Sequence, residues 1–159
     1  MSGLRQGGDE AVNRVTEYVT ATVADQLLAI PIRRVRDVFT PARITRVPMA
    51  SPEVLGVLNL RGRIVTMIDM RRLLNLPRRQ DPRAAIALHI DLAAESYGLV
   101  VDAVEEVLAL PEGSREANPA NLDKLFASVS SGVHRLEDRL MVVLDVDGVL
   151  DIGAHRVAA

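Results

Sequence analysis

A chain of 159 residues with 48% hydrophobic content is long enough to bury a core, as one domain or as two small lobes sharing an interface. Its longest uncharged apolar runs, such as Leu140 to Leu144, fall far short of the ~20 residues a membrane-spanning helix needs, and the absence of cysteine excludes disulfides, thiolate zinc sites and cysteine nucleophiles. The net charge of -2 hides opposite halves, with 14 basic and 8 acidic side chains in residues 1–83 against 5 and 13 in residues 84–159, a distribution able to orient encounters with partners.

The N-terminus carries Asp9, Glu10 and paired glycines where a secretion signal requires a positive start and an apolar stretch. Residues 1–15 are therefore expected to be a flexible tail, and a reducing, cytoplasmic location is the default. Tyr18 to Val23 and Gln26 to Ile32 read as a hairpin around Ala24-Asp25. Val54 to Leu58 and Arg63 to Ile68 form a second, turning at Asn59-Leu60-Arg61-Gly62, where Asn and Gly offer positive φ. Asp69 then caps a short helix over Met70 to Leu76 that Pro77 ends.

The pattern restarts in the second half. Ala84 to Leu92 and Tyr97 to Val101 are two apolar runs joined by a small polar link, and Leu140 to Val146 is a last strand before a helical turn or coil at Gly148 to Ile152. Pro111 to Ser131 lacks clear periodicity and is expected to be a long, mobile surface loop. The restart holds in register. Ile30, Ile32, Val35 and Val38 match Leu99, Val101, Val104 and Val107 at one constant spacing. Gly56, Val57, Leu60, Arg63, Ile64, Ile68, Asp69 and Leu74 match Gly132, Val133, Leu136, Arg139, Leu140, Leu144, Asp145 and Leu150 at another. Shared alternation does not require the Gly, Arg and Asp coincidences, so the chain reads as an internal duplication. The expected fold is mainly β: two SH3-like five-stranded barrel subdomains with short helices, interleaved or sequential, at about 16–83 and 84–152, packed together with a groove between them.

No residues in the sequence announce catalysis. His89, His134 and His155 lack ligand spacing, and His89 alternates with Leu88 and Ile90 as an exposed or half-buried strand residue, while His134 stands in a loop-like context. Asp145-Val146-Asp147-Gly148 has its glycine too early for a calcium loop, and Ser130-Ser131-Gly132 is not a nucleophile elbow. Aromatic residues at 3% leave few platforms for stacking bases. Neither an enzyme, a metal, a cofactor nor a nucleic-acid partner is expected.

Ile30-Pro31-Ile32, Val35-Arg36-Asp37-Val38, Ile44-Thr45-Arg46-Val47-Pro48, Gly56-Val57-Leu58-Asn59-Leu60-Arg61-Gly62 and Ile64-Val65-Thr66-Met67-Ile68-Asp69 follow one another in the order seen in the CheW family, which the chain strongly resembles. Gly98 to Val104 and Asp138 to Asp145 continue the likeness into the second half. The resemblance implies an adaptor that bridges the cytoplasmic tip of methyl-accepting chemoreceptors to the regulatory domain of a CheA-type histidine kinase, beneath the inner membrane but not inserted in it. It implies partner contacts by Val35, Asp37, Gly56 and Arg61, where Asp37 replaces the usual glutamate. Val38, Asn59, Leu60 and Gly62 complete the expected partner-binding set. Gly56 and Gly62 can equally serve turns, Val35 and Val38 the core, and Arg61 can lock its hairpin to the neighbouring lobe. The alternatives are an adaptor for pilus motility or another kinase output, or a small-barrel nucleic-acid or ligand-binding domain.

Overall fold

The computed structural model describes residues 14–151. Ten strands run in the order β1 (Val15–Val23), β2 (Gln26–Pro31), β3 (Asp37–Phe39), β4 (Val54–Leu60), β5 (Arg63–Asp69), β6 (Ile86–Leu92), β7 (Glu95–Val101), β8 (Ala103–Pro111), β9 (Ser130–Arg135) and β10 (Leu140–Leu144). Two short helices, α1 (Met70–Leu73) and α2 (Lys124–Ser128), follow β5 and precede β9, and residues 146–151 are helical. Of the expected tail, Arg14 and Val15 are described, and Val15 already pairs with Pro111 at the start of β1. The rest lies outside the described residues.

The strands make two SH3-like, five-stranded lobes, with sheet order β8-β1-β2-β10-β9 in lobe one and β3-β6-β7-β5-β4 in lobe two. The second order is the first with each strand replaced by its counterpart in the other repeat. Each lobe therefore joins the first two strands of one repeat to the last three of the other. A cut after Arg83 does not separate the lobes, because β6 and β7 lie with β3, β4 and β5. Registers agree as well: parallel pairing puts Met141 beside Leu27 in lobe one and Val65 beside Ser96 in lobe two, equivalent positions in the two repeats. The chain crosses between lobes twice, at residues 32–36 and at Asp102.

Continuous apolar runs mark strands covered on both faces. In β2, Leu28 and Ile30 enter the largest core cluster while Leu27 and Ala29 enter a smaller one. The largest cluster takes Val19 and Ile30 from lobe one and Ile68, Leu88 and Leu99 from lobe two, so the lobes share one interior. Each also keeps its own small core, around Tyr18 and Met141 in lobe one and around Val65 and Met67 in lobe two. The hairpin turns reuse one geometry: Ala24 and Asp25 at φ 49 and 69, Ala93 and Ala94 at φ 51 and 67. Positive φ at both turn residues matches the right-handed twist of the paired strands.

The segment expected to be a mobile surface loop contains structure. Glu116 bridges to Val133, Asp123 caps α2 by accepting from the Leu125 N–H, and Phe126 and Val129 are buried in the shared core with Leu122 packed on it. Leu122, Phe126 and Val129 stand at helical spacing, a short signal that the flanking Pro and Gly mask.

His134 is not in a loop but inside β9, 2% exposed, where the other repeat has Leu58. Its ring packs edge-on to Tyr18 with centroids 5.7 Å apart. The Ser114 hydroxyl donates to the Pro111 carbonyl at 2.8 Å, so Nδ1–H of His134 donates to Ser114 Oγ at 3.0 Å, and Nε2 is buried without a hydrogen-bond partner among the described residues. Burial, followed by the charge of Arg115, holds the imidazole below its ordinary pKa against the opposing pull of Glu112 and Glu116. The unfolded chain therefore takes up the proton first as pH falls below about 6.5, and stability drops from there toward the folded-state pKa. His134→Leu, copying the other lobe, is expected to recover on the order of 1 kcal/mol at about pH 5 relative to about pH 7, read from urea unfolding at the two pH values. Equal pH dependence in both proteins would refute this.

Candidate functional site

The turn between β4 and β5 holds most of the candidate residues. Leu60 pairs with Arg63, leaving Arg61 and Gly62 as a two-residue turn at φ 51 and 86. Asn59 Oδ1 accepts from the Gly62 N–H at 2.8 Å, so the asparagine closes the turn from within. A side chain at Gly62 would meet nothing, and its role is the backbone angle. Leu60 is half-buried against the lobe-two core.

Arg61 projects from this turn with its side chain 75% exposed, and its Nη2 donates to Asp37 Oδ2 at 2.6 Å. Its partner is a carboxylate of its own lobe, so it does not lock the two lobes together. Asp37 opens β3, and its second oxygen accepts the Val38 N–H at 2.9 Å. The Arg61 hydrogen bond, then that backbone bond, hold the Asp37 carboxyl below its ordinary pKa. Val38 is 37% exposed on the same strand.

The two remaining candidates serve other places. Val35 follows the 3-10 turn of Ile32–Arg34, returns its N–H to the Ile32 carbonyl at 3.1 Å, and packs half-buried on the shared core. Gly56, at φ +142, lies under the backbone of Thr45, where a Cβ would stand 2.2 Å from the carbonyl oxygen.

Tertiary structure adds residues that sequence reasoning missed. Asp91 accepts from Arg36 at 2.7 Å, Arg63 at 3.4 Å and Ser96 at 2.8 Å, with His89 Nε2 at 3.2 Å. Burial opposes ionisation of Asp91, but the hydrogen bonds from Ser96 and Arg36 and the charges of Arg36 and His89 outweigh it, and its pKa is lowered. His89 is 6% exposed rather than half-exposed, because β6 is covered on both faces. Arg36 also donates its N–H to the His89 carbonyl at 2.8 Å, tying the crossing segment to β6. Arg36, Asp37, Leu60, Arg61, Arg63 and His89 line one shallow depression of about 200 Å³. Asp91 was visible in the sequence only as an acid ending an apolar run.

The depression presents guanidinium groups preset by carboxylates beside half-buried Leu60, the chemistry of a docking face. Among the described residues, no group of three or more His, Cys, Asp or Glu is placed to hold a metal ion.

Residues 17–153 match the CheW-like domain. The chain belongs to the CheW-like domain family. Chemotaxis protein CheW of Bacillus subtilis is 31% identical over 126 residues, covering 77% of this chain and 79% of that protein. Chemotaxis protein CheW of Helicobacter pylori is 28% identical over 152 residues, covering 94% and 88%. In three dimensions, the scaffolding protein CheW from Thermoanaerobacter tengcongensis superposes with a TM-score of 0.74 at 24% identity, over 82% of this chain and 84% of that one. CheW-like folds therefore account for both lobes.

Proposed function

We propose that this CheW-like chain is a non-catalytic adaptor that couples the cytoplasmic tip of methyl-accepting chemoreceptors to the regulatory domain of a CheA-type histidine kinase. The likeness to chemotaxis CheW proteins across both lobes supports the role. The observation that carries the proposed contact is the Asp37–Arg61 pair: an exposed arginine on a two-residue turn, held by one carboxylate, with Leu60 lining the same depression. An arginine so held keeps several N–H donors free and aimed outward, and little side-chain entropy is lost when a partner arrives. A helical hairpin tip can lay an aliphatic side chain against Leu60 while its carboxylates or carbonyls bind Arg61. The work is done in the cytoplasm, and no helix among the described residues is long and apolar enough to cross a membrane.

Purified Arg61→Ala is expected to keep wild-type thermal stability, because an ion pair this exposed adds little to folding. Its capture of the receptor tip and kinase in a three-component pull-down is expected to weaken about tenfold or more. A stability loss that accounts for the binding loss would instead make Arg61 an internal brace, and undiminished capture would move the contact elsewhere.

A further inference from the structure

We propose that a second face of lobe two, the arginine-rimmed groove between residues 41–55 and 72–85, docks an acidic partner segment that carries an aliphatic anchor residue. Two adjoining cavities of about 760 and 330 Å³ share Ile44, Leu55, Arg72 and Arg78 in their walls. The smaller has an apolar floor that includes Leu76, Ala85 and Val100, and it is of the size that accepts one or two aliphatic side chains. Neither cavity includes any residue of the Asp37–Arg61 depression.

Its rim is cationic and unsatisfied. Arg46, Arg78 and Arg83 line the groove, and their guanidinium groups make no ion pair or hydrogen bond among the described residues. The one acid in its walls, Asp69, is already held by Arg79 at 3.0 Å and Arg72 at 3.8 Å. At the mouth, Met49 is 99% exposed at φ 67, adding aliphatic surface beside Arg46.

The duplication supplies an internal comparison. Arg14, Thr16 and Pro31 of lobe one occupy the repeat positions of Arg83, Ala85 and Val100, and they line a depression of their own. There Glu112 accepts from the Thr16 hydroxyl and lies 3.9 Å from Arg115, so the pocket carries its own counter-charge, with Val15, Pro31 and Ile32 as its apolar residues. In lobe two the single wall acid, Asp69, is committed to Arg72 and Arg79, and Leu76, Ala85 and Val100 lie beside the uncompensated Arg78 and Arg83. Free arginines over buried aliphatic surface complement a ligand that is acidic and aliphatic at once, and either property alone leaves half of the groove unmatched.

Fluorescence anisotropy with the full chain and a labelled peptide, Glu-Glu-Leu-Glu-Glu-Leu-Glu-Glu, tests this at physiological salt. Saturable binding is expected, weakened about tenfold or more when both leucines become serine, and by a similar factor in the Arg78→Glu/Arg83→Glu double variant, whose sites are exposed and whose fold is checked by circular dichroism. Arg14→Glu, at the lobe-one counterpart, and Arg61→Ala, in the proposed array contact, are expected to bind the peptide as the wild type does, so this result is independent of the adaptor reading. The proposal is overturned by absence of saturation at millimolar peptide, by equal binding of the serine peptide or of an oligothymidylate, or by an unaffected double variant.

Discussion

Asp102→Ala is expected to lower the free energy of unfolding by roughly 2–4 kcal/mol, the range for stripping a largely buried, multiply bonded carboxylate from its cationic partners. Asp102 is the single residue between β7 of lobe two and β8 of lobe one. Its Oδ1 accepts from Arg71 Nε and Arg79 Nε, each at 2.9 Å, and its Oδ2 from Arg71 Nη2 at 2.7 Å and the Ala24 N–H at 2.8 Å. Its own N–H goes to the Thr22 carbonyl at 2.9 Å. One carboxylate thus joins the first turn of lobe one to the helix and the connection that follow β5 in lobe two. Removing it leaves Arg79, whose side chain is 10% exposed, with Asp69 alone.

Burial opposes the charge on Asp102, but the Arg71 hydrogen bonds, the Ala24 N–H and the charges of Arg71 and Arg79 prevail, so its pKa is lowered. A carboxyl whose folded pKa lies below its unfolded one contributes stability above about pH 4 and loses it as pH falls toward the folded value. The alanine variant should accordingly show a shallower acid limb. Urea unfolding at several pH values checks both effects, and Asp102→Asn, which keeps an acceptor, provides a milder variant expected to fall between. Wild-type stability in either variant would mean that the shared apolar core alone holds the lobes together.

Gly56→Ala is expected to cost roughly 3 kcal/mol or more, because it combines forbidden backbone geometry with a backbone collision. At φ +142 an L-residue is strained, and the added Cβ would lie 2.2 Å from the Thr45 oxygen, whose carbonyl accepts the Val57 N–H at 2.8 Å. The register of β4 against β5 shifts between Val54 and Gly56, so the glycine also forms the bulge that brings Thr45 alongside. Gly132, its counterpart at φ +141, tests the argument internally. There the nearest atom is the Glu116 carbonyl at 2.9 Å and the other contacts are to the flexible Arg115 side chain, so Gly132→Ala should cost less. Thermal melts of the two variants decide it. If Gly56→Ala melts like the wild type yet fails to capture receptor, Gly56 is a contact residue and its backbone role is minor.

Much of the site was legible because its signals are local. Asn59 and Gly62 announced a turn by residue chemistry alone, and the turn placed Leu60 and Arg61 at its tip. Asp37 appeared in a motif, but its bond to Arg61 spans 24 positions and passes from β3 to the turn of a hairpin, β4 and β5, with which β3 does not pair. The Asp91 cluster was illegible for the same reason, since four of its members approach from β3's entry, β5, β6 and β7. The groove rimmed by Arg78 and Arg83 read in sequence only as basic residues among prolines.

By itself the sequence determined most of the strands, their hairpin turns and the doubling, though not β3, β8 or β9, because alternation, positive-φ chemistry and constant spacing are each expressed within a few residues or by direct comparison of segments. It did not determine which strands belong together. Two repeats with the same pattern offer the same pairing edges, so β2 beside β5 and β2 beside β10 satisfy alternation equally well, and local periodicity holds no preference between them. Tertiary structure selected the exchanged arrangement, in which the chain crosses from lobe to lobe at residues 32–36 and at Asp102 and both lobes contribute to one core. That choice also buried His89 and His134, placed Phe126 in the interior and left Arg46, Arg78 and Arg83 without an acid among the described residues.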